Sequence, residues 1–460
     1  MERRPRTVKP MSKLHVVTYG CQMNAHDSDR MVELMAPLGF EATADKNEAD
    51  LIVLNTCSVR EKADQKMLSE LGRLRAWRGE HPDRILAVGG CVAQGMGQGL
   101  LDKVPFLDLV FGTDQLAALP DMVRRIQRDR VRVAAVDWRD ADEFDFLPIR
   151  PRGKVEGCHA FVKIMKGCNQ FCTYCIVPYV KGRELCRPAN EIVDEVRLLV
   201  ERHGVREVTL LGQTVTSYNV RHNARPGAPR FSELLHRLHD IDGLHRIRFM
   251  TGYPKDVEPD LVQAFRDLPR VAGHIHMPVQ SGSDRILKRM NRGYDRQLYV
   301  ERMADLRAAR PGLALTSDII VGFPGETEAD FEATMELVRS MRFDSIFSFS
   351  YSERPGTRAA VFDDSVPHED RRRRLRALNE MQEQITREIL EHRVGRREEV
   401  LVLGPSTRDP KILCGRTSEH RMVNFRGEAA VGDLVDVTIT EAQPHSLRGQ
   451  MVLDAQRLSA

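Results

Sequence analysis

Three times near the start of the chain a short apolar run ends and a cysteine follows three residues later. Leu14–Thr18 leads to Cys21, Leu51–Leu54 to Cys57, and Ile85–Val88 to Cys91. Helical patterns over about 28–38 and 61–78 separate the runs, and a fourth run at 107–111 precedes a helical stretch over about 115–127. Uninterrupted apolar runs that alternate with helices predict buried parallel strands of an α/β sheet. In such a sheet ligands bind outside the carboxyl ends of the strands. Cysteines more than thirty residues apart in sequence can therefore converge at one edge, and Gly20 and Gly90 let the backbone approach closely there. Any one buried cysteine is an ordinary core filler. Three in the same topological position, with no obvious fourth, predict a metal centre with one open position.

A second cysteine group is local. Cys168, Cys172 and Cys175 lie in KGCNQFCTYCIVPYVKGRE as a CxxxCxxC cluster. Three closely spaced thiolates can hold three irons of a four-iron cluster and leave the fourth open. Thiolates also suit zinc, but a structural zinc site fills all four positions with Cys or His. Here Cys186 is eleven residues past Cys175 and His159 nine before Cys168, outside the usual spacing. Cys158 reads as a structural thiol.

The 460 residues allow about three domains. No apolar stretch approaches a membrane span, and the basic start lacks the apolar core of a secretory signal. Nine cysteines, partly clustered, do not make a disulfide scaffold and point to metal or catalytic use. A net charge of +3 leaves any nucleic-acid partner to be met by local basic patches.

The expected organisation is a flexible arm over 1–12, an α/β domain over 13–128, a charge-rich linker over 129–153, a second α/β domain over 154–392, and a small antiparallel β-barrel over 393–460. The second domain reads as six strand–helix units, with strands near 159–164, 207–211, 246–249, 273–277, 315–321 and 344–351. Six units are short of a closed barrel of eight. A long helix over about 369–392 opens with Arg371–Arg374, a run read as a solvated face that could also steer an acidic polymer. Between Lys411 and Arg426 a cluster of basic residues surrounds Phe425. Arg416, Arg421 and Arg426 are expected to contact phosphates, and Phe425 to stack a base.

Taken together, KGCNQFCTYCIVPYVKGRE, TYGCQMN, LNTCSVREKA, VGGCVAQ, MPVQSGSDRILKRMNRGY, DIIVGFPGETEADF and FSYSERPGT resemble the radical S-adenosylmethionine (SAM) methylthiotransferase family over nearly the whole chain. The resemblance implies a multidomain α/β fold: an amino-terminal parallel α/β domain, a partial (β/α)6 barrel of the TIM type, and a carboxyl-terminal RNA-binding β-barrel of the TRAM type. It implies two 4Fe-4S clusters and SAM as cofactors. Cys168, Cys172 and Cys175 match the ligands of the radical-generating cluster, and Cys21, Cys57 and Cys91 those of an auxiliary cluster where the sulfur chemistry occurs. Gly212, Gln213, Gln280, Ser281, Gly322 and Glu326 look like SAM-contacting strand ends.

Within the family, YGCQMN and GRTSEHRMVNF are similar to the branch that modifies tRNA, and within that branch to the bacterial enzymes for isopentenylated adenosine. Thr214 and Thr216 stand where those enzymes commonly carry asparagine. The implied reaction is methylthiolation of C2 of N6-isopentenyladenosine beside the anticodon (position 37). One SAM gives its methyl group to sulfur at the auxiliary cluster, and a second is cleaved to the radical that removes the C2 hydrogen. The alternatives are threonylcarbamoyladenosine in tRNA and an aspartate of a ribosomal protein. The implied partners are a tRNA anticodon stem-loop, an electron donor such as flavodoxin or ferredoxin, and sulfur-donor and iron–sulfur assembly proteins. A cytoplasmic monomer with no membrane contact is expected.

Overall fold

The computed structural model describes residues 11–58, 63–140, 144–149, 155, 157–220 and 227–452. They pack as two units: the described residues of Met1–Gly153 with Ile176–Arg183, and those of Lys154–Cys175 with Glu184–Ala460. Ile176–Arg183 falls inside the span expected for the second domain, yet it packs with the first unit.

The first unit is built on strands β1 (Ser12–Thr18), β2 (Phe40–Ala42), β3 (Leu51–Thr56), β4 (Ile85–Gly90), β5 (Leu109–Phe111) and β6 (Val133–Ala135). All run parallel in the order β2-β1-β3-β4-β5-β6. Helices α1 (Gln22–Met35), α2 (Ala63–Glu80), α3 (Cys91–Met96), α4 (Gln98–Lys103), α5 (Leu119–Asp129) and α6 (Val177–Lys181) belong to this unit. One face of the sheet buries Leu51, Val53 and Ala87 against Met31, Met35 and Val123. The other buries Ile52, Leu54 and Val88 against Leu71, Leu74 and Leu100. With both faces covered, neither set of alternating positions can be polar, which is why these strands are apolar throughout.

Two strands of this sheet escaped the sequence reading. β2 is short, with one buried residue in three. β6 lies in the stretch expected to be linker, where charged neighbours mask Val133–Ala135. Ser12, expected in the arm, begins β1; residues 1–10 lie outside the described residues.

The second unit contains β7 (His159–Lys163), a short antiparallel pair β8 (Met165–Lys166) and β9 (Leu185–Cys186), then β10 (Glu207–Leu211), β11 (Arg246–Phe249), β12 (His274–His276), β13 (Ala314–Val321) and β14 (Ser345–Ser350). The long-range pairing is parallel in two runs, β7-β10-β11 and β12-β13-β14. A parallel bridge from Ile247 to Val271 joins them. Helices α7 (Ala189–His203), α8 (Phe231–His239), α9 (Pro259–Asp267), α10 (Asp284–Arg289), α11 (Arg296–Ala309) and α12 (Glu328–Met341) connect the strands. The six expected strands form a partial parallel barrel.

Helix α13 (His368–Glu391) leads into a closed barrel of β15 (Arg397–Pro405), β16 (Leu413–Thr417), β17 (Met422–Arg426), β18 (Leu434–Gln443) and β19 (Ser446–Met451). Val400, Val402, Val423, Phe425, Val437 and Leu447 fill it.

This small barrel plugs the amino-terminal end of the partial barrel. Arg248 donates to the Glu207 carboxylate at 2.8 Å and to the carbonyls of Thr417 and Ser418. Arg416 pairs with Glu207, Arg421 with Asp344, and His274 stacks on His420. Glu207, His274 and Arg246, which donates to the Glu399 carbonyl at 3.1 Å, are the first residues of their strands, and Asp344 immediately precedes β14. The carboxyl ends are thereby left for chemistry, where parallel barrels carry it.

Candidate active site: two sets of thiols

In the first unit, Cys57 directly follows β3, Cys91 begins α3 directly after β4, and Cys21 stands at the amino end of α1 after β1. β1, β3 and β4 are immediate neighbours, in register at Thr18–Asn55 and Thr56–Gly90. Strands about 4.8 Å apart thus deliver three cysteines to one edge. The strand order changes direction between β1 and β3, the crevice where open α/β sheets bind ligands.

A buried polar network fixes these loops. Asn24 donates to Asn55 Oδ1 at 3.1 Å and to the Thr56 carbonyl at 3.0 Å; Asn55 donates back to the Asn24 carbonyl at 2.8 Å and to Ser28 Oγ at 3.0 Å. Thr56 Oγ1 donates to the Gly89 carbonyl at 2.6 Å. The glycines meet steric demands. Gly20 has φ +123°, and a Cβ there would sit 2.5 Å from Cys57 Cβ; Gly90 has φ +90° and would drive a Cβ into the Thr56 backbone.

Lys181, from the helix after the CxxxCxxC loop, lines the same small cavity as Asn24, Asn55, Gly90, Cys91 and Thr113. Burial alone would push its ammonium pKa down. The facing Cys91, Asp27, Cys21 and Cys57 outweigh that and hold it above the usual lysine range. Burial likewise pushes the Cys91 thiol up, while Lys181 pulls it back.

In the second unit, Cys168, Cys172 and Cys175 occupy the loop after β8. Cys168 and Cys172 are buried and Cys175 is half-buried. The Cys175 amide donates to the Cys172 carbonyl at 3.0 Å, a tight local turn. Burial pushes the Cys168 thiol up to about 12. Arg292 donates to Cys172 Sγ at 3.3 Å and lies 5.0 and 4.9 Å from the ring centres of Tyr253 and Tyr294. Its other bonds, to Tyr294 Oη and the Pro278 carbonyl, anchor the guanidinium.

Both donor sets consist of thiols, the soft ligands that suit iron–sulfur clusters. A zinc site gathers its ligands on one ion. Among the described residues no three His, Cys, Asp or Glu side chains are so gathered. A four-iron cluster takes each thiolate at a separate iron, the kind of ligation that three thiols supply.

The residues read as SAM contacts all follow carboxyl ends of the second unit's strands: Gly212 and Gln213 after β10, Gln280 and Ser281 after β12, Gly322 and Glu326 after β13. The Ser281 and Glu326 side chains are held internally. Ser281 Oγ accepts from the Ser283 amide at 3.2 Å. The Glu326 carboxylate accepts from the Gly322 amide at 2.6 Å and from Arg374 at 2.7 Å. Thr216 accepts from the Tyr253 amide at 2.8 Å, whereas the buried Thr214 hydroxyl has no hydrogen-bond partner among the described residues.

The tail residues separate differently. Phe425 is 1% exposed inside the small barrel and cannot stack a base. Arg416 and Arg421 are held by Glu207 and Asp344 in the plug, which corrects their expected role as phosphate contacts; Arg426 alone of the four is exposed. The Arg371–Arg374 run divides likewise. Arg371 donates to the Tyr351 carbonyl, Arg373 pairs with Glu328, Arg374 is buried on Glu326 and Glu328, and Arg372 is exposed. Cys158 is buried and donates to the Val402 carbonyl at 3.4 Å, a structural position.

Lys181, Arg292 and the Asn24–Asn55 pair were missed by sequence reasoning. Lys181 and Arg292 sit in the quoted motifs but carry no spacing signal of their own. Asn24 and Asn55 each lie within three residues of a predicted ligand, which is the signal that was available.

Comparisons with known proteins agree with this architecture. Residues 13–112 match the family described as Uncharacterized protein family UPF0004, residues 162–338 the Radical SAM superfamily, and residues 391–452 the TRAM domain. A tRNA-2-methylthio-N(6)-dimethylallyladenosine synthase of Geobacter sulfurreducens is 47% identical over 96% of this chain and 98% of its own length. The enzyme of the same name from Geobacter metallireducens is 49% identical over the same shares. Among solved structures, the radical S-adenosylmethionine methyltransferase TsrM from Kitasatospora setae, with cobalamin and a 4Fe-4S cluster bound, superposes with a TM-score of 0.56. It is 16% identical and covers 77% of each chain, a likeness of fold.

Proposed function

Because the chain belongs to the tRNA-2-methylthio-N(6)-dimethylallyladenosine synthase family, we propose that it replaces the C2 hydrogen of N6-isopentenyladenosine in tRNA with a methylthio group, using SAM as methyl donor and radical source. The observation that carries this reading is the pair of all-thiol donor sets, one at the edge of a parallel sheet and one on a loop of a partial barrel. An adenine C2–H bond is beyond the reach of side-chain acids and bases, and radical chemistry of this kind is a cofactor's task. When bound, a cluster on Cys168, Cys172 and Cys175 would supply the electron that cleaves SAM, and one on Cys21, Cys57 and Cys91 would supply a site for the inserted sulfur.

The chain's own residues supply position and charge. Arg292 donates to Cys172 Sγ, a contact that tunes whatever that sulfur ligates. The Asn24–Asn55–Thr56 network holds the three strand-end loops. Gly212, Gln213, Gln280, Ser281, Gly322 and Glu326 shape the strand ends where SAM would lie. Ser281 and Glu326 do so by fixing backbone, since their side chains are already engaged. RNA contact by Arg426 and Arg372 fits their exposure. An anticodon stem-loop is the RNA partner, with electron and sulfur donors completing the reaction.

The test separates the two thiol sets. Under anaerobic reducing conditions, Cys172→Ala abolishes SAM cleavage, whereas Cys57→Ala cleaves SAM but gives no methylthiolated nucleoside by mass spectrometry. Methylthiolated product from Cys57→Ala would overturn the assignment of the strand-end set.

A further inference from the structure

We propose that Lys181 is the binding residue for an anionic sulfur ligand, a hydrosulfide or an alkylthiolate, at the Cys21/Cys57/Cys91 site. The inference rests on the reading of that site as a cluster centre. Lys181 is 7% exposed, and a buried lysine requires a reason, because lysine is almost never buried unpaired. Helix α6, only five residues long, carries it into the cavity lined by Asn24, Asn55, Gly90, Cys91, Gly112 and Thr113.

Its placement is fixed from both sides. Thr113 Oγ1 donates to the Val180 carbonyl at 2.9 Å, tying the last turn of α6 to the loop after β5. Gly182, with φ +72°, turns the chain away immediately afterwards beneath the Trp138 ring. The charged and ionisable groups facing the ammonium are Cys91, Asp27, Cys21 and Cys57. Asp27 lines the same cavity and is the one carboxylate among these groups.

Charge chooses the ligand. Three thiolates plus a fourth sulfur anion carry more negative charge than a four-iron core carries positive, and burying that excess is costly unless a cation stands beside it. An ammonium offers three donors and no acceptor, so it favours an anion at the open position over water or a neutral ligand. Cys91 and Lys181 line one cavity, and the incoming sulfur species is thereby held as its anion.

The experiment uses full-length protein carrying C168A/C172A/C175A, reconstituted anaerobically so that only the strand-end set can hold iron. Sodium sulfide and sodium methanethiolate are titrated in, followed by the EPR spectrum of the reduced cluster, with affinity read per loaded cluster. Lys181→Met is expected to weaken binding of both anions at least about tenfold, the loss of one charge-assisted hydrogen bond. Lys181→Arg should restore most of it. Parental affinity in Lys181→Met overturns the proposal. Should Lys181→Met hold no iron, Lys181→Gln decides: weakened binding supports the proposal, while parental affinity or an iron-free protein overturns it. A parent triple variant without iron would instead defeat the reading of the cysteine set itself.

Discussion

The two thiol sets differ in how they are assembled. Cys168, Cys172 and Cys175 sit within eight consecutive residues, while Cys21, Cys57 and Cys91 follow three adjacent strands of a six-stranded sheet. Spacing along the chain brings the first set together; strand order and register bring the second. A loop-borne set tolerates distant substitutions that leave its turn intact. A sheet-borne set depends on every element that fixes three strand ends, which is why it is surrounded by buried asparagines and by glycines with no room for a Cβ.

The sharpest way to break this comparison is Gly20→Ala. The new methyl would need a positive φ and would lie 2.5 Å from Cys57 Cβ, so the strand-end set should scatter. About four iron atoms per chain should be lost while SAM cleavage at the loop-borne set persists. Full iron content would show that the sheet edge tolerates movement, and the contrast between the sets would fail.

A smaller effect comes from the plug. Burial would raise the Glu207 pKa, but Arg248 and Arg416 outweigh it and hold the carboxyl at about 2, against an ordinary 4.5. A carboxyl depressed in the folded state contributes stability above about 4.5 that is lost as pH falls towards 2. Burial also holds His274 well below the usual histidine range, so its contribution is lost in the same direction on acidification. Glu207→Gln should cost about 3 kcal/mol at neutral pH by leaving buried arginines uncompensated. It should also flatten the acid dependence in urea melts of the apo chain, with both cysteine sets still able to take iron. Unchanged stability would mean the ion pair contributes little to docking of the small barrel.

Much of this was legible in the sequence for physical reasons. Continuous apolar runs reported strands buried on both faces, and residues just beyond them reported the sheet's ligand edge. CxxxCxxC is a local signal that survives without knowledge of the fold. What stayed hidden is pairing across sequence distance. Nothing near Arg416 or Arg421 announces Glu207 or Asp344, so basic residues that lock two folds together looked like a basic surface. Phe425 was readable in part: Val423 and Phe425 alternate with Met422, Asn424 and Arg426, the period-two pattern of a barrel interior. Lys181 could not be found this way, because the groups facing it, Cys91, Asp27, Cys21 and Cys57, all lie far from it in sequence.

The most direct test is the iron content of the anaerobically reconstituted full-length chain beside its C168A/C172A/C175A variant. The account predicts about eight iron atoms per chain in the first and about four in the second. No iron in the variant would contradict it, leaving Cys21, Cys57 and Cys91 as core thiols and the sulfur-insertion site unassigned.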